Sequence, residues 1–313
     1  TVKLPQVSQG LPMNTFDPTI DSLPWSYGNL AVYRWNASLP MQARGVVLIV
    51  HGLGEHMGRY SQTAQVLQHE GWICVGYDHL GHGRSEGERG KIPFSDALVE
   101  GLVHVAQHVI AEMPSKIAQE LPLILLGHSM GGLVVVQAIA KARDRMPDIC
   151  AAVLSAPALG IFVSESEKWL LRSIPRLLPN LCLDNKINTS SICRDKAVVE
   201  RYNKDPLVHR KISLRLAAWM FHASQQIDQC ARTWSMPVLL LLAGKDVLVD
   251  NKSAQRFAKQ LSADLVVVHN EPDMLHELLN DPENSRVLNR IADWMDLAVT
   301  SLPEAFSQAQ ALR

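Results

Sequence analysis

Short apolar runs recur along the chain, and longer stretches of mixed polarity separate them. Short runs without polar alternation are typical of strands that are buried on both faces. The strands predicted in this way cover 30–35, 46–50, 72–77, 123–126, 151–154, 238–243 and 265–269. Stretches predicted as helices lie between them at 59–69, 96–111 and 133–140. This alternation predicts an α/β fold with a mostly parallel central sheet, helices on both faces and an antiparallel first strand.

Two stretches of the chain fall outside this alternation. Residues 1–24 are rich in Pro, Ser and Thr and are predicted to form an extended leader. The interval 158–235 is too long for a simple connection between strands, so we expect an inserted helical cap there. The core then consists of 1–157 and 236–313, with the cap above the carboxyl ends of the strands, where a site is expected.

An apolar stripe at helical spacing marks the first part of the predicted cap. Its members are Leu170, Ile174, Leu177, Leu178 and Leu181. Pro175 lies within the stripe and is expected to interrupt the helix, which suits a bent cap. Two interpretations stay open: the stripe contacts acyl chains or a membrane surface, or it packs on the core. On the first interpretation Leu177 and Leu178 line an acyl tunnel. The apolar cluster at 219–221 also has two interpretations: it lines the acyl pocket, or it is buried by packing.

The strongest chemical signal is a G-x-S-x-G pattern at 127–131, between a predicted strand and a predicted helix. A serine in the middle of this pattern stands on a tight strand-to-helix turn with a strained backbone. The positions two before and two after it must stay small for the turn to close. The pattern therefore predicts Ser129 as a nucleophile whose hydroxyl is exposed above the sheet.

A serine nucleophile for acyl transfer needs backbone N–H groups that bind the developing oxyanion. The strand at 46–50 runs into His-Gly-Leu-Gly at 51–54, where the glycines let the main chain approach a substrate. The N–H of Leu53 is one predicted donor. The N–H of Met130, directly after the nucleophile, is the other.

The acid and the histidine of a triad follow the serine in this type of fold. Asp246 comes directly after one late strand, and His276 lies in the loop after the next. Asp250 is the rival carboxylate, but it lies at the predicted start of a helix, where capping explains it. The remaining histidines beside glycine-rich turns are predicted to be structural hydrogen-bonding residues: His51, His79, His82 and His128. The strand-to-helix turn at Ser129 is expected to point the side chain of His128 away from the nucleophile.

Three longer motifs extend these signals. They are His-Gly-Leu-Gly-Glu-His with Gly-Arg-Tyr within 51–60, Tyr-Asp-His-Leu-Gly-His-Gly-Arg-Ser-Glu-Gly at 77–87, and Gly-His-Ser-Met-Gly-Gly at 127–132. With the segments around Asp246 and His276, they resemble the monoacylglycerol lipase and lysophospholipase branch of the α/β-hydrolase family. The resemblance implies a serine esterase without metal or cofactor, with Ser129, Asp246 and His276 as its triad. It also places Glu55 near the polar head of the substrate and implies that Arg59 holds the Glu55 loop in that substrate-binding region.

Composition limits the partners of the protein. The 313 residues carry a formal net charge of −1, which provides no basic face for nucleic acid and no polybasic membrane anchor. No apolar run approaches the length of a membrane span. The five cysteines form an odd, scattered set without a metal-binding spacing, which favours a cytoplasmic, reducing location. Cys182 and Cys193 both lie in the predicted cap, and a bridge between them stays open as an alternative.

These features predict a serine carboxylic-ester hydrolase that cleaves monoacylglycerol-like or lysolipid-like esters through an acyl-enzyme. Its partner is a small acyl ester, and on the lipid-facing interpretation the cap also makes transient contact with a membrane or micelle surface. The alternatives are a general carboxylesterase, a thioesterase or an acyltransferase that uses the same triad on non-lipid acyl groups. A non-enzymatic binding protein is the least favoured alternative, because every catalytic position is occupied.

Overall fold

A computed structural model of the protein describes residues 17–35, 43–113 and 121–300. The strands in this part of the chain are β1 (Thr19–Leu23), β2 (Leu30–Arg34), β3 (Gly45–Val50), β4 (Trp72–Tyr77), β5 (Leu123–His128), β6 (Ile149–Ser155), β7 (Cys182–Asp184), β8 (Lys211–Ser213), β9 (Val238–Ala243) and β10 (Val266–Glu271). The helices are α1 (Ser61–His69), α2 (Ala97–Ala111), α3 (Met130–Ala142), α4 (Glu165–Ser173), α5 (Lys196–Lys204), α6 (Leu214–Gln225), α7 (Ile227–Arg232), α8 (Asn251–Gln260) and α9 (Asn284–Thr300). Eight strands form one sheet in the order β1-β2-β4-β3-β5-β6-β9-β10, and β7 pairs with β8 in a separate ribbon.

The central sheet is parallel from β4 to β10, whereas β2 runs antiparallel to both of its neighbours. This arrangement confirms the predicted mostly parallel sheet with an antiparallel strand near its start. The predicted leader is corrected in part, because Thr19–Leu23 form the edge strand β1. All residues of β1 except Leu23 are exposed, so no apolar run marks the strand in the sequence. Residues 1–16 lie outside the described part of the chain.

Helices cover both faces of the sheet, and the residues of β3 alternate between two cores. Val46, Leu48 and Val50 pack into one core with α2, α3 and α8. Val47 and Ile49 pack into a second core with α1 and α9. Each aliphatic side chain buried in this way contributes roughly 1.5–3 kcal/mol of transfer free energy. A strand that is covered on both faces needs a continuous apolar run, which is why the sequence predicts these strands well.

Between β6 and β9 the chain forms α4, α5, α6, α7 and the ribbon of β7 and β8, where only helices were expected. The two ribbon strands have three residues each and lack a buried apolar run. Leu216, Trp219 and Ile227, from α6 and α7, pack into the core shared with the sheet. This part of the predicted cap is therefore continuous with the main core, and the boundaries of 158–235 remain a prediction.

Pro175 follows the end of the first cap helix and does not bend it. α4 begins with a capping box in which Ser164 and Glu167 exchange hydrogen bonds, and it ends at Ser173. Proline has no N–H to donate to the preceding turn, so the helix does not continue through Pro175. The expected interruption of the helix at Pro175 is therefore confirmed. Leu177 and Leu178 lie beyond the helix, and 77% and 53% of their surfaces are exposed.

Cys182 and Cys193 form no disulfide bridge with each other. The Cys193 thiol instead donates to the carbonyl oxygen of Asn280 at 3.2 Å. None of the helices in the described ranges has the length and apolar character that a membrane span requires.

Candidate active site

Ser129 stands on the tight turn between β5 and α3 with a strained backbone. Its φ of 53° and ψ of −120° lie outside the regions that L-residues normally populate. A Cβ at Gly131 would lie 2.1 Å from the carbonyl oxygen of Val50, and a Cβ at Gly127 would lie 2.7 Å from the carbonyl oxygen of Gly131. The glycine spacing of the pattern therefore follows from close backbone contacts around the turn.

Three side chains from three loops meet at this turn. The Nε2 atom of His276 lies 2.8 Å from Ser129 Oγ, and the Nδ1 atom of His276 lies 2.7 Å from Asp246 Oδ2. Asp246 Oδ1 accepts the backbone N–H groups of Leu248 and Val249. Burial alone raises the pKa of the Asp246 carboxyl, but the hydrogen bond and charge of His276 outweigh burial and lower this pKa. Asp246 therefore faces His276 as a carboxylate.

Asp250, the rival carboxylate, caps α8 instead. Its Oδ1 accepts the backbone N–H of Lys252 at 3.0 Å, and its Oδ2 accepts the hydroxyl of Ser253 at 2.8 Å. These are the contacts of an N-cap residue. The structure thus brings Asp246, and not Asp250, to His276.

The loop after β3 brings backbone N–H groups to the serine. Leu53 of this loop lines the cavity at Ser129. Gly52 is so close that a Cβ there would lie 3.2 Å from Ser129 Cβ. Met130 is the first residue of α3, and the first N–H groups of a helix have no acceptor within the helix. Both predicted oxyanion donors therefore lie beside the serine.

A buried cluster of Glu55, Arg59 and Glu277 supports this loop. Arg59 Nη1 donates to Glu55 Oε2 at 2.5 Å and to Glu277 Oε1 at 2.8 Å, and Arg59 Nη2 donates to Glu277 Oε2 at 2.7 Å. Glu55 Oε1 accepts the N–H of Gly52 at 2.8 Å, which fixes the backbone next to Leu53. Burial alone raises the pKa of Glu55, but the charge of Arg59, together with His128, His51 and the N–H of Gly52, outweighs burial and lowers this pKa to about 2.

The cavity at the nucleophile has a volume of about 220 Å³ and combines an apolar wall with a polar end. Apolar side chains of the wall include Ile161, Leu171, Ala217, Met220 and Val249. The polar side chains near the nucleophile are Glu55, His128, Asn185, Tyr202 and Glu277. No lysine or arginine of the described ranges lines this cavity.

Of the four residues predicted to bind substrate, Glu55 alone lines the cavity. Arg59 lies behind Glu55 and holds its loop through the ion pair. Leu177 and Leu178 lie outside the cavity, so the acyl tunnel predicted for them is wrong. The periodic stripe that suggested them ends with α4, and the exposed turn that follows carries both residues away from the site.

His128 belongs to the site, contrary to the prediction that its side chain turns away from the nucleophile. Its ring centroid lies 4.9 Å from that of His276, and its Nδ1 donates to the carbonyl oxygen of Ser155 at 3.1 Å. Burial, together with the charge of His276, lowers the pKa of His128 to about 4, so the ring is neutral at physiological pH. The sequence reasoning also missed Tyr202 and Glu277, and the one local signal for Glu277 is that it directly follows His276.

The sheet topology and this arrangement of side chains define the class of the protein, which is a serine hydrolase with the α/β-hydrolase fold. Residues 41–283 match the family described as serine aminopeptidase, S33, and the chain belongs to that family.

Two proteins similar to this chain are named as monoacylglycerol or monoglyceride lipases, and a third is uncharacterized. Human monoglyceride lipase is 33% identical over 260 residues, which cover 80% of this chain and 82% of the relative. The crystal structure of Paleococcus ferrophilus monoacylglycerol lipase matches with a TM-score of 0.74 at 30% identity, covering 85% of this chain and 99% of that one. An uncharacterized abhydrolase domain-containing protein of Dictyostelium discoideum is 29% identical over 252 residues, 80% of this chain, which spans 26% of that longer relative. The chain is a hydrolase of the lipase and esterase type.

Proposed function

We propose that the protein hydrolyses neutral monoacylglycerols to a fatty acid and glycerol through an acyl-enzyme at Ser129. The observation that carries the proposal is the cavity, which joins an apolar wall to two carboxylates without a cationic side chain from the described ranges. The relatives named monoglyceride lipase and monoacylglycerol lipase support the same class of substrate.

In the proposed reaction, Nε2 of His276 accepts the Ser129 proton while the serine oxygen attacks the ester carbonyl carbon. The N–H groups of Leu53 and Met130 bind the negative charge on the carbonyl oxygen, and each such donor lowers the barrier by about 3 kcal/mol. The tetrahedral intermediate breaks when His276 returns the proton to the glycerol oxygen. A water molecule that gives its proton to His276 then releases the fatty acid. Asp246 stabilises the imidazolium in both halves of the reaction.

The polar end of the cavity suits a neutral alcohol. Glu55 and Glu277 share the single guanidinium of Arg59, which leaves one negative charge uncompensated. Each of the two carboxylates already accepts three hydrogen bonds. A carboxylate offers about four acceptor positions, so each keeps capacity for a hydroxyl donor of glycerol. A phosphate group brings acceptors and negative charge, and this end of the cavity repels it.

The apolar wall suits an acyl chain. Ile161, Leu171 and Ala217 contact one small core within the predicted cap, and Met220 joins this wall to the main core. Each methylene group that leaves water contributes about 0.8 kcal/mol, a factor of about four in binding. Longer monoacylglycerols are therefore expected to be better substrates until the wall is covered.

A panel of esters, measured as kcat/KM below the critical micelle concentration, tests both parts of the proposal. We compare 1-decanoylglycerol with its 3-phosphate, which has the same acyl group and ester bond. Like charges about 8 Å apart at an effective dielectric constant of about 20 predict roughly a 30-fold preference for the neutral ester. Equal kcat/KM for 1-decanoylglycerol and its 3-phosphate would instead indicate a lysophospholipase. Equal values for acetyl, butyryl and decanoyl glycerol esters would indicate a general carboxylesterase.

Two matched pairs of variants sharpen this test. Glu277→Gln removes a charge from the cavity and should narrow the preference for the neutral head group, whereas Glu283→Gln changes an exposed carboxylate nearby and should not. Leu171→Ala removes apolar surface from the wall of the cavity, so it should raise KM more for decanoyl than for butyryl esters. Leu177 lies outside the cavity, so Leu177→Ala should leave KM unchanged for both decanoyl and butyryl esters. A larger effect at Leu177 would mean that the acyl wall is assigned to the wrong residues.

We further propose that the exposed apolar side of the predicted cap contacts a lipid surface during substrate entry. The large apolar side chains of the predicted cap that are exposed are Phe162, Trp169, Leu177, Leu178, Leu181 and Leu183. Phe162 is 65% exposed and also lines the cavity, so the surface continues into the site. Cosedimentation with phosphatidylcholine vesicles should fall when Trp169 and Leu177 are both replaced by serine. Val268→Ser, at an exposed position of β10, is the control, and undiminished binding by the double variant would contradict the proposal.

A further inference from the structure

Four histidines form a cluster where the predicted cap meets the core. His51, His79 and His82 come from the loops after β3 and β4, and His209 comes from the cap segment before β8. The centroids of neighbouring rings lie between 4.5 and 6.0 Å apart. Burial lowers the pKa of each imidazole, so the cluster is uncharged at neutral pH. None of these rings takes part in the proposed proton transfers.

Two members of the cluster hold the loop that carries Leu53. Nδ1–H of His51 donates to the carbonyl oxygen of Gly52 at 2.8 Å, on one side of Leu53. The backbone N–H of His209 donates to the carbonyl oxygen of Gly54 at 2.9 Å, on the other side. The predicted oxyanion donor thus lies between two anchored residues.

The contact between His209 and this loop is close. Gly54 has a φ of +75°, and a Cβ there would lie 2.5 Å from the carbonyl oxygen of His209. The imidazole of His209 lies 4.7 Å from the ring of His82, and its Nδ1 accepts the N–H of Lys211 at 3.2 Å. The side chain of His209 therefore packs this segment of the cap against the core, and this packing brings the backbone N–H of His209 to Gly54.

We infer that His209 is a positioning residue: its ring seats the cap segment on His82, and its backbone N–H keeps the N–H of Leu53 aimed at the oxyanion. The inference rests on the proposed chemistry at Ser129 but not on the lipid nature of the substrate. It gives the cap a role in the chemical step, in addition to its role in binding the acyl chain.

The test separates kcat from KM on p-nitrophenyl acetate, an ester too short to depend on the apolar wall. Because misplacement of a catalytic group by about 1 Å costs about 100-fold, His209→Ala should lower kcat by about 10- to 100-fold and change KM by less than about twofold. His209→Phe keeps a flat ring on His82 and should restore kcat to within about threefold of the wild-type value. His222→Ala, which removes an exposed histidine of α6, should change neither parameter.

A trifluoromethyl ketone that forms a tetrahedral adduct with Ser129 gives a second readout. Its Ki should rise in parallel with the loss of kcat/KM, because both depend on the oxyanion donors. If His209→Ala raised KM for long esters and left kcat for p-nitrophenyl acetate intact, His209 would serve cap packing alone and the inference would be wrong.

Circular dichroism shows whether each variant is folded, and only the kinetics of folded variants are interpreted. If His209→Ala does not fold, the phenylalanine variant carries the test: near wild-type kcat supports the inference, and a folded variant with kcat reduced more than about tenfold overturns it. If glycerol esters are not hydrolysed while p-nitrophenyl acetate is, the proposed substrate fails and the role of His209 stands.

Discussion

Replacement of Asp246 by asparagine tests the proposed triad sharply, because the chain offers a matched control at Asp250. Asp246 Oδ2 faces Nδ1 of His276 at 2.7 Å, and Oδ1 accepts two backbone N–H groups. Those N–H groups also orient an asparagine: its amide oxygen must accept them, so its NH₂ group faces His276. Because NH₂ is a donor, Nδ1 of His276 becomes the acceptor and the ring proton moves to Nε2.

The expected loss follows from this tautomer. With a proton on Nε2, His276 cannot accept the proton of Ser129, and the imidazolium also loses its ionised partner. A change of this kind in a serine triad lowers kcat by about 10⁴-fold, which corresponds to about 5 kcal/mol in the barrier. KM should change little, because Asp246 does not line the cavity.

The control variant is Asp250→Asn. Asparagine caps helices about as well as aspartate, so it can still accept the N–H of Lys252, and kcat should stay within about twofold of wild type. The assay measures kcat and KM for a monoacylglycerol and for a p-nitrophenyl ester, and urea unfolding confirms that both variants are folded.

Two results would refute this reasoning. Equal losses in the two variants would mean that Asp250 supports His276 during turnover. A loss of less than about tenfold in a folded Asp246→Asn variant would mean that the ionised carboxylate and the tautomer it favours are not required.

Two properties of the chemistry and one of stability can be tested in the same way. A fluorophosphonate should label Ser129 at one equivalent, and Ser129→Ala should lose both labelling and hydrolysis while remaining folded; labelling of that variant would contradict the nucleophile. Activity should survive EDTA, because the proposed mechanism needs no metal and the described ranges contain no cluster of His, Cys, Asp and Glu placed to bind one; restoration of a lost activity by a divalent cation would contradict this. Acid should destabilise the fold through His128, whose folded-state pKa of about 4 lies below the value of about 6.5 expected for the unfolded chain. Above pH 6.5 His128 is neutral in both states, and as the pH falls toward 4 the imidazole gains its proton in the unfolded state first, so His128 by itself lowers the free energy of unfolding by about 2 kcal/mol by pH 5. Urea unfolding at pH 7 and pH 5 should show a smaller drop for His128→Gln than for wild type.

The sheet could be predicted from the sequence because its strands are covered on both faces. β4 begins and ends with its apolar run, at Trp72 and Tyr77. The turn at Ser129 could be predicted because close backbone contacts require glycine at fixed spacing around it. In both cases the physical constraint acts on residues that are neighbours in the chain, so a local pattern reports it.

The polar network and the cap depend on contacts between distant segments, which no local pattern reports. Arg59 and Glu277 are separated by 218 positions in the chain. Leu177 and Leu178 fit a helical period, but the period does not say what the stripe contacts, and Pro175 follows the end of the helix. The side chain of His128 could not be assigned from strand alternation, because the backbone leaves regular geometry at the next residue.

Arg59 explains how segments far apart in the sequence keep one geometry around the proposed nucleophile. Its guanidinium binds Glu55 of the loop after β3 and Glu277 beside His276, and it lies 4.7 Å from the ring centroid of Tyr202 in α5. Removing one partner of a buried ion pair costs about 3–5 kcal/mol, a large part of a typical stability of about 5–15 kcal/mol. Opening the Glu55 loop or the loop that carries His276 and Glu277 would leave a buried charge without its partner, so these two loops are expected to stay together. The cation–π contact with Tyr202 adds a weaker link to the cap. Because Arg59 is engaged in this way, it is not free to bind an anionic head group. The rigidity of the site and its proposed preference for neutral esters therefore have one cause.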